Sequence, residues 1–109
     1  MKYDEFIVMR EKGTIPDDIP MLLQALLLDG VGDWDNAHKI AQNVFTKDGS
    51  WVHAYLHRKE GDRPNAAYWY SNAGRRMPES MLEEEWEEIS RELLKNLITL
   101  RTLEPIPFI

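Results

Sequence analysis

Displaced by 29 positions, the sequence falls on itself: Ala25 meets Ala54, Leu27 meets Leu56, Gly32 meets Gly61, Asp33 meets Asp62, Asn36 meets Asn65 and Ala37 meets Ala66. A period of this size marks one supersecondary unit used twice. Each copy reads as a helix, a Gly-Asp break and a second helix, with the glycine free to turn left-handed and the aspartate suited to an N-cap. In each copy an alanine on the first helix precedes an alanine on the second by twelve positions. Paired small residues let two antiparallel helices approach closely, so two helical hairpins are expected, over about residues 20–45 and 50–76.

Flanking segments extend this pattern. Residues 4–12 place Tyr3, Phe6, Ile7 and Arg10 on one helical face, with Gly13 as the stop. Pro20 suits a first helical position, and Met21 to Asp29 is apolar nearly all round, so that helix is expected to be central, with Gly30 and Gly32 breaking it. Asp33 opens a helix from Trp34 to about Phe45; after a Lys47-Asp48-Gly49 turn, Ser50 is expected to cap the next, running to Glu60. A further helix from Arg63 to Ala73 ends at Gly74 and Pro78. The last helix, about residues 79–100, carries Leu82, Trp86, Ile89, Leu93, Leu97 and Leu100 at three- and four-residue spacings, and the prolines of the tail at 104–109 cannot continue it. No segment reads as a strand. The expected fold class is all-α, one domain over residues 1–109: two hairpins between an N-terminal helix and a long C-terminal amphipathic helix.

The chain of 109 residues is 43% hydrophobic and 29% charged, ordinary for one folded domain that needs neither metal nor disulfide to form a core. Its net charge of −6 argues against nucleic acid and anionic membranes as partners. With no cysteine, disulfides, thiol nucleophiles, zinc fingers and iron–sulfur clusters are excluded. The first residues, Met1-Lys2-Tyr3-Asp4-Glu5, are charged where a signal peptide is apolar, and the run from Met21 to Leu28 is too short for a membrane span. A cytoplasmic, membrane-free protein is expected.

Glu60-Gly61-Asp62, followed by Asn65-Ala66, Trp69-Tyr70 and Ala73-Gly74, resembles the second helix of a Sel1-like repeat, a relative of the tetratricopeptide repeat. Pro78 falls where such repeats often carry proline; the first copy keeps Ala37 and Ala41 but has Ile40 in place of the tryptophan. The resemblance covers Met21 to Pro78 and implies a scaffold that binds a peptide or protein. Two hairpins are fewer than the roughly three repeats a solenoid needs, so the terminal helices are expected to close the stack into a bundle. The block from His53 to Asp62 also resembles one in short uncharacterised bacterial proteins, to which no activity attaches.

Three groups of polar residues are candidates for chemistry. His53 and His57 lie four apart on one helix, Glu60 continues their face, and His38 on the preceding helix faces them if the hairpins stack in order. Such a set can bind zinc, yet His-x-x-x-His lacks the glutamate of the helical zinc-protease motif. The reading preferred on sequence is that the histidines border a buried helix or touch a ligand. On that reading zinc leaves the melting temperature unchanged, and nitrogens converging on a common point would reverse the choice.

Asp29, Asp33 and Asp35 do not follow an EF-hand order, and capping by Asp33 explains most of that cluster. Arg58, Lys59, Arg63, Arg75 and Arg76 form a local basic stretch interleaved with Tyr68, Trp69 and Tyr70, suited to an anionic group. The acids around Trp86 read as a solvated face near a helix N-terminus.

The leading expectation is a small non-catalytic module that binds a protein segment or small anionic ligand through His53, His57, Arg58, Tyr68 and Arg75, without a cofactor and with homo-oligomers open to it. The alternative is a metal-dependent hydrolase or lyase using His38, His53, His57 and Glu60.

Overall fold

Every described residue that joins regular secondary structure is helical. The computed structural model describes the backbone of residues 1–103 and the side chains of residues 1–97; the proline-broken tail lies outside the described residues. The helices are α1 (Tyr3–Lys12), α2 (Met21–Gly30), α3 (Trp34–Ala41), α4 (Lys47–Lys59), α5 (Arg63–Asn72) and α6 (Leu82–Leu103). None of them is long and apolar enough to cross a membrane.

The two Gly-Asp turns are built alike. Gly32 and Gly61 take φ of 92° and 87°, where a side chain would be strained. Asp33 N–H donates to Leu28 O at 2.8 Å and Asp62 N–H to His57 O at 2.9 Å, again 29 positions apart. Asp33 and Asp62 each accept the N–H of the asparagine three residues on, both at 3.3 Å, which caps α3 and α5. Across these turns α2 packs on α3 and α4 on α5, and α3 packs on α4.

Helix boundaries differ from the sequence expectation between α3 and α4 and at α6, which runs from Leu82 to Leu103. α3 stops at Ala41, four residues before Phe45, and α4 begins at Lys47 with Thr46 as its cap. The Thr46 hydroxyl accepts Gly49 N–H at 3.0 Å, so Lys47-Asp48-Gly49 is the first turn of α4, and Ser50 lies inside the helix. Gly49 permits this because a Cβ there would meet Val44 O at 2.0 Å. α6 starts at Leu82, where Glu84 Oε1 accepts Met81 N–H at 3.0 Å, one half of a capping box.

α2 is central, as its composition requires: Leu23, Ala25, Leu26 and Leu27 are buried, and α6 packs on α1, α2 and α4. Trp86 of α6 donates its indole N–H to Leu26 O at 2.9 Å, stacks on Phe6 at 5.6 Å and carries the Arg10 guanidinium at 4.2 Å. Ala37, Ala54 and Ala66 are fully buried. Ala66→Leu therefore overpacks the α4–α5 contact and is expected to cost about 1–3 kcal/mol; an unchanged urea midpoint would refute the close approach.

Two charged groups are buried in the same core. Asp29 accepts Tyr55 O–H at 3.1 Å and pairs with Lys59 Nζ at 2.9 Å. Glu85, read from sequence as part of a solvated acidic face, is 1% exposed. It accepts the Tyr70 hydroxyl at 2.7 Å, Trp51 Nε1–H at 3.2 Å and Arg58 Nη1–H at 2.8 Å. Burial, then the bond to Glu85, holds the Tyr70 phenol protonated well above its usual range.

Candidate metal centre

His38 on α3 and His53 and His57 on α4 bring their Nε2 atoms together. His53 Nε2 lies 2.9 Å from His38 Nε2 and 3.0 Å from His57 Nε2. The three nitrogens all fall within 4.8 Å of one another. One turn of α4 separates His53 from His57, so their rings project together, and the α3–α4 contact supplies His38.

Each ring is held from outside the cluster. The His57 Nδ1–H donates to Glu60 Oε1 at 2.7 Å, which fixes that tautomer and leaves the Nε2 lone pair pointing inward. The Trp34 ring stacks on His38 at 4.8 Å with only 8° between planes, and its Nε1–H is anchored on Leu56 O at 2.9 Å. Trp69 of α5 stacks on His53 at 4.2 Å. His53 and His57 are 5% and 6% exposed, well inside the border expected from sequence, while His38 is half-buried.

With His57 Nε2 already an acceptor, one hydrogen on His53 Nε2 can bond fully to only one neighbour. If His38 supplies the hydrogen instead, the His53 and His57 lone pairs face each other at 3.0 Å. Neutral imidazoles thus complete one of the two short contacts at a time. A single cation at the centre accepts all three lone pairs at once. Zinc–nitrogen bonds of about 2.0–2.1 Å in a tetrahedron put ligand nitrogens about 3.3 Å apart. The two short separations, 2.9 and 3.0 Å, reach that spacing by opening a few tenths of an ångström.

The electrostatics favour neutral imidazoles at His53 and His38. Burial, and then the proximity of His38 and His57, pushes the His53 pKa down to about 4, and burial also lowers that of His38. Metal ligation needs imidazoles in this deprotonated state. In the metal-free protein the lowered His53 pKa makes the fold less stable in acid. The unfolded chain takes up a proton at His53 near pH 6.5 and the folded chain only near pH 4, so stability is full above 6.5 and falls between them. The expected loss is about 3 kcal/mol, read as a falling urea midpoint over that window; a midpoint flat from pH 6.5 to 4 in the presence of chelator would contradict a buried neutral His53.

The residues expected from sequence to share one site divide into two groups. His53 and His57 meet His38 and Glu60, and Tyr68, exposed, lies edge-on to Trp69 at 5.0 Å. Arg58 is turned instead toward Glu85 and Ser80 O. Arg75 lies over Trp51 at 3.3 Å, with Glu88 4.0 Å from its Nη1. Arg75 lines a polar cleft with Arg76, and the walls of that cleft include Glu85, the partner of Arg58, and Glu88, so acids already face the cations there. Asp62 lies near His57 and Glu60, but its carboxylate caps α5. Trp69, which the sequence places in the basic aromatic stretch, lies instead on His53, and Trp34 is not among the sequence candidates, although it stands one turn before His38 on the same helix face. No family model, curated protein or solved structure matches the chain.

Proposed function

We propose that this chain is a metal-binding helical domain that holds one zinc-class divalent cation through Nε2 of His38, His53 and His57, with Glu60 fixing His57 from behind. The observation that carries this is the convergence of three inward-facing nitrogens at 2.9 and 3.0 Å, two contacts that neutral imidazoles do not complete at once. An all-imidazole donor set suits zinc and its late first-row neighbours and disfavours magnesium and calcium, which take oxygen ligands. Three neutral histidines are also the donor set of hydrolytic zinc centres, and on that observation a metal-dependent hydrolase or lyase is the second reading.

The anionic ligand expected beside Arg58 and Arg75 is reassigned in this proposal, since both guanidiniums face acids of α6. The Sel1-like, tetratricopeptide-like arrangement is kept as a reading of the scaffold, supported by the matching bonds of the two Gly-Asp turns.

Calorimetric titration of the metal-free chain with zinc tests the proposal. One ion per chain is expected, and none in a His53→Ala/His57→Ala variant. Glu60→Ala is expected to weaken binding about 10–100-fold, the usual effect of losing the partner that orients a ligating histidine. Absence of binding, or binding that survives the double variant, would remove the metal centre.

A further inference from the structure

We infer that the metal bound at this centre keeps one coordination position for an exogenous ligand, and that this ligand is a small oxygen-donor anion, a hydroxide or a carboxylate. The inference rests on the three-histidine site proposed above and goes beyond it in assigning what the site takes.

Three observations carry it. The first is ligand count. Among the described residues no further histidine nitrogen or carboxylate oxygen joins the cluster of His38, His53 and His57. Glu60, the nearest acid, is bonded to Nδ1 on the far side of the His57 ring. Four-coordinate zinc therefore has one donor to find from outside the chain.

The second observation is charge. All three ligands are neutral, and the chain has no cysteine to supply a thiolate, so the complex keeps its full double positive charge. His53 and His57 are buried, and a buried charge is costly unless compensated. Glu60 lies one imidazole away and offsets part of that charge. An anion at the fourth position compensates it at bonding distance, where Coulomb attraction is largest. A bound water meets the same demand by losing a proton, which zinc brings to near pH 7.

Access is the third. Exposure at the cluster falls on His38, the one ligand that is only half-buried, whereas His53 is covered by Trp69 and His57 lies deep. A ligand consequently enters along the α3 edge, beside the Trp34 indole that covers one face of His38.

The full chain loaded with cobalt(II) provides the test, because cobalt reports its coordination in the visible spectrum. Sodium acetate is the probe. The expected result is a saturable change in the cobalt spectrum with acetate and, without acetate, a single spectral transition with pH as bound water becomes hydroxide. The two ligands compete, so the acetate concentration for half-saturation is expected to rise about tenfold per pH unit above that transition. A cobalt spectrum that forms, saturates at one ion per chain and ignores both acetate and pH would overturn this inference and leave the metal site standing. No cobalt spectrum at all would overturn the metal site and the inference together.

Discussion

Zinc held at a thousand times its dissociation constant is expected to stabilise the fold by about 4.1 kcal/mol. In a domain of this size that raises the melting temperature by on the order of 20 °C, since each kcal/mol is worth about 4–8 °C. The gain arises because the site exists only when α3 is packed on α4: His38 comes from one helix and His53 and His57 from the other. Competition from the unfolded chain is small, because it holds three histidines and no cysteine. Chelator should reverse the rise, magnesium should not produce it, and the His53→Ala/His57→Ala variant should melt at one temperature with or without zinc. A parent melting temperature indifferent to zinc returns the histidines to the role preferred from sequence, a polar border on a buried helix.

The sequence leaves the geometry of this cluster open for a definable reason. The spacing of His53 and His57 places two imidazoles on one face and so was legible, and Glu60 followed from the next turn. What spacing within one helix does not fix is the angle and offset at which a neighbouring helix crosses it. His38 reaches the pair only because α3 ends at Ala41 and the chain reverses through Val44 and Phe45 into α4, the stretch where the sequence placed continuing helix. Gly49 lies against the Val44 carbonyl five residues earlier, a close approach that leaves no periodic signal.

The fold was more legible than the site. Glycine and aspartate at 32–33 and 61–62 specify a left-handed residue followed by a cap, and both turns take that form with matching bonds. The burial of Ala37, Ala54 and Ala66 follows from the same register. The partners of Arg58 and Arg75 are not legible in the sequence, because a basic residue carries no mark of its partner, and theirs lie on another helix, α6. Glu85 was hidden among its neighbours Glu83, Glu84, Glu87 and Glu88, although it falls three residues after Leu82 and four before Ile89, on the stripe that α6 buries.

Replacing Glu85 by alanine is therefore expected to cost about 3–5 kcal/mol, the range for removing one member of a buried ion pair. The loss has several parts. Arg58, whose side chain is 12% exposed, keeps a charge with no carboxylate beside it, and the Tyr70 hydroxyl and Trp51 indole N–H lose their acceptor. Glu85→Gln retains the shape and an acceptor oxygen but not the charge, so it should fall between the parent and Glu85→Ala. Glu83 is the control: its side chain is 67% exposed and pairs with Arg10 at 2.8 Å on the surface. Glu83→Ala should cost about 0–1 kcal/mol despite removing the same chemical group from the same helix. Pairing Glu85→Ala with Arg58→Met in a double-mutant cycle separates the ion pair from the rest. Removing both charges should recover part of the loss, because the uncompensated guanidinium goes with its partner. Urea midpoints for the two alanine variants that coincide would mean that Glu85 is solvated as the sequence suggests; a wide separation means that α6 is locked onto α4 and α5 through one buried carboxylate.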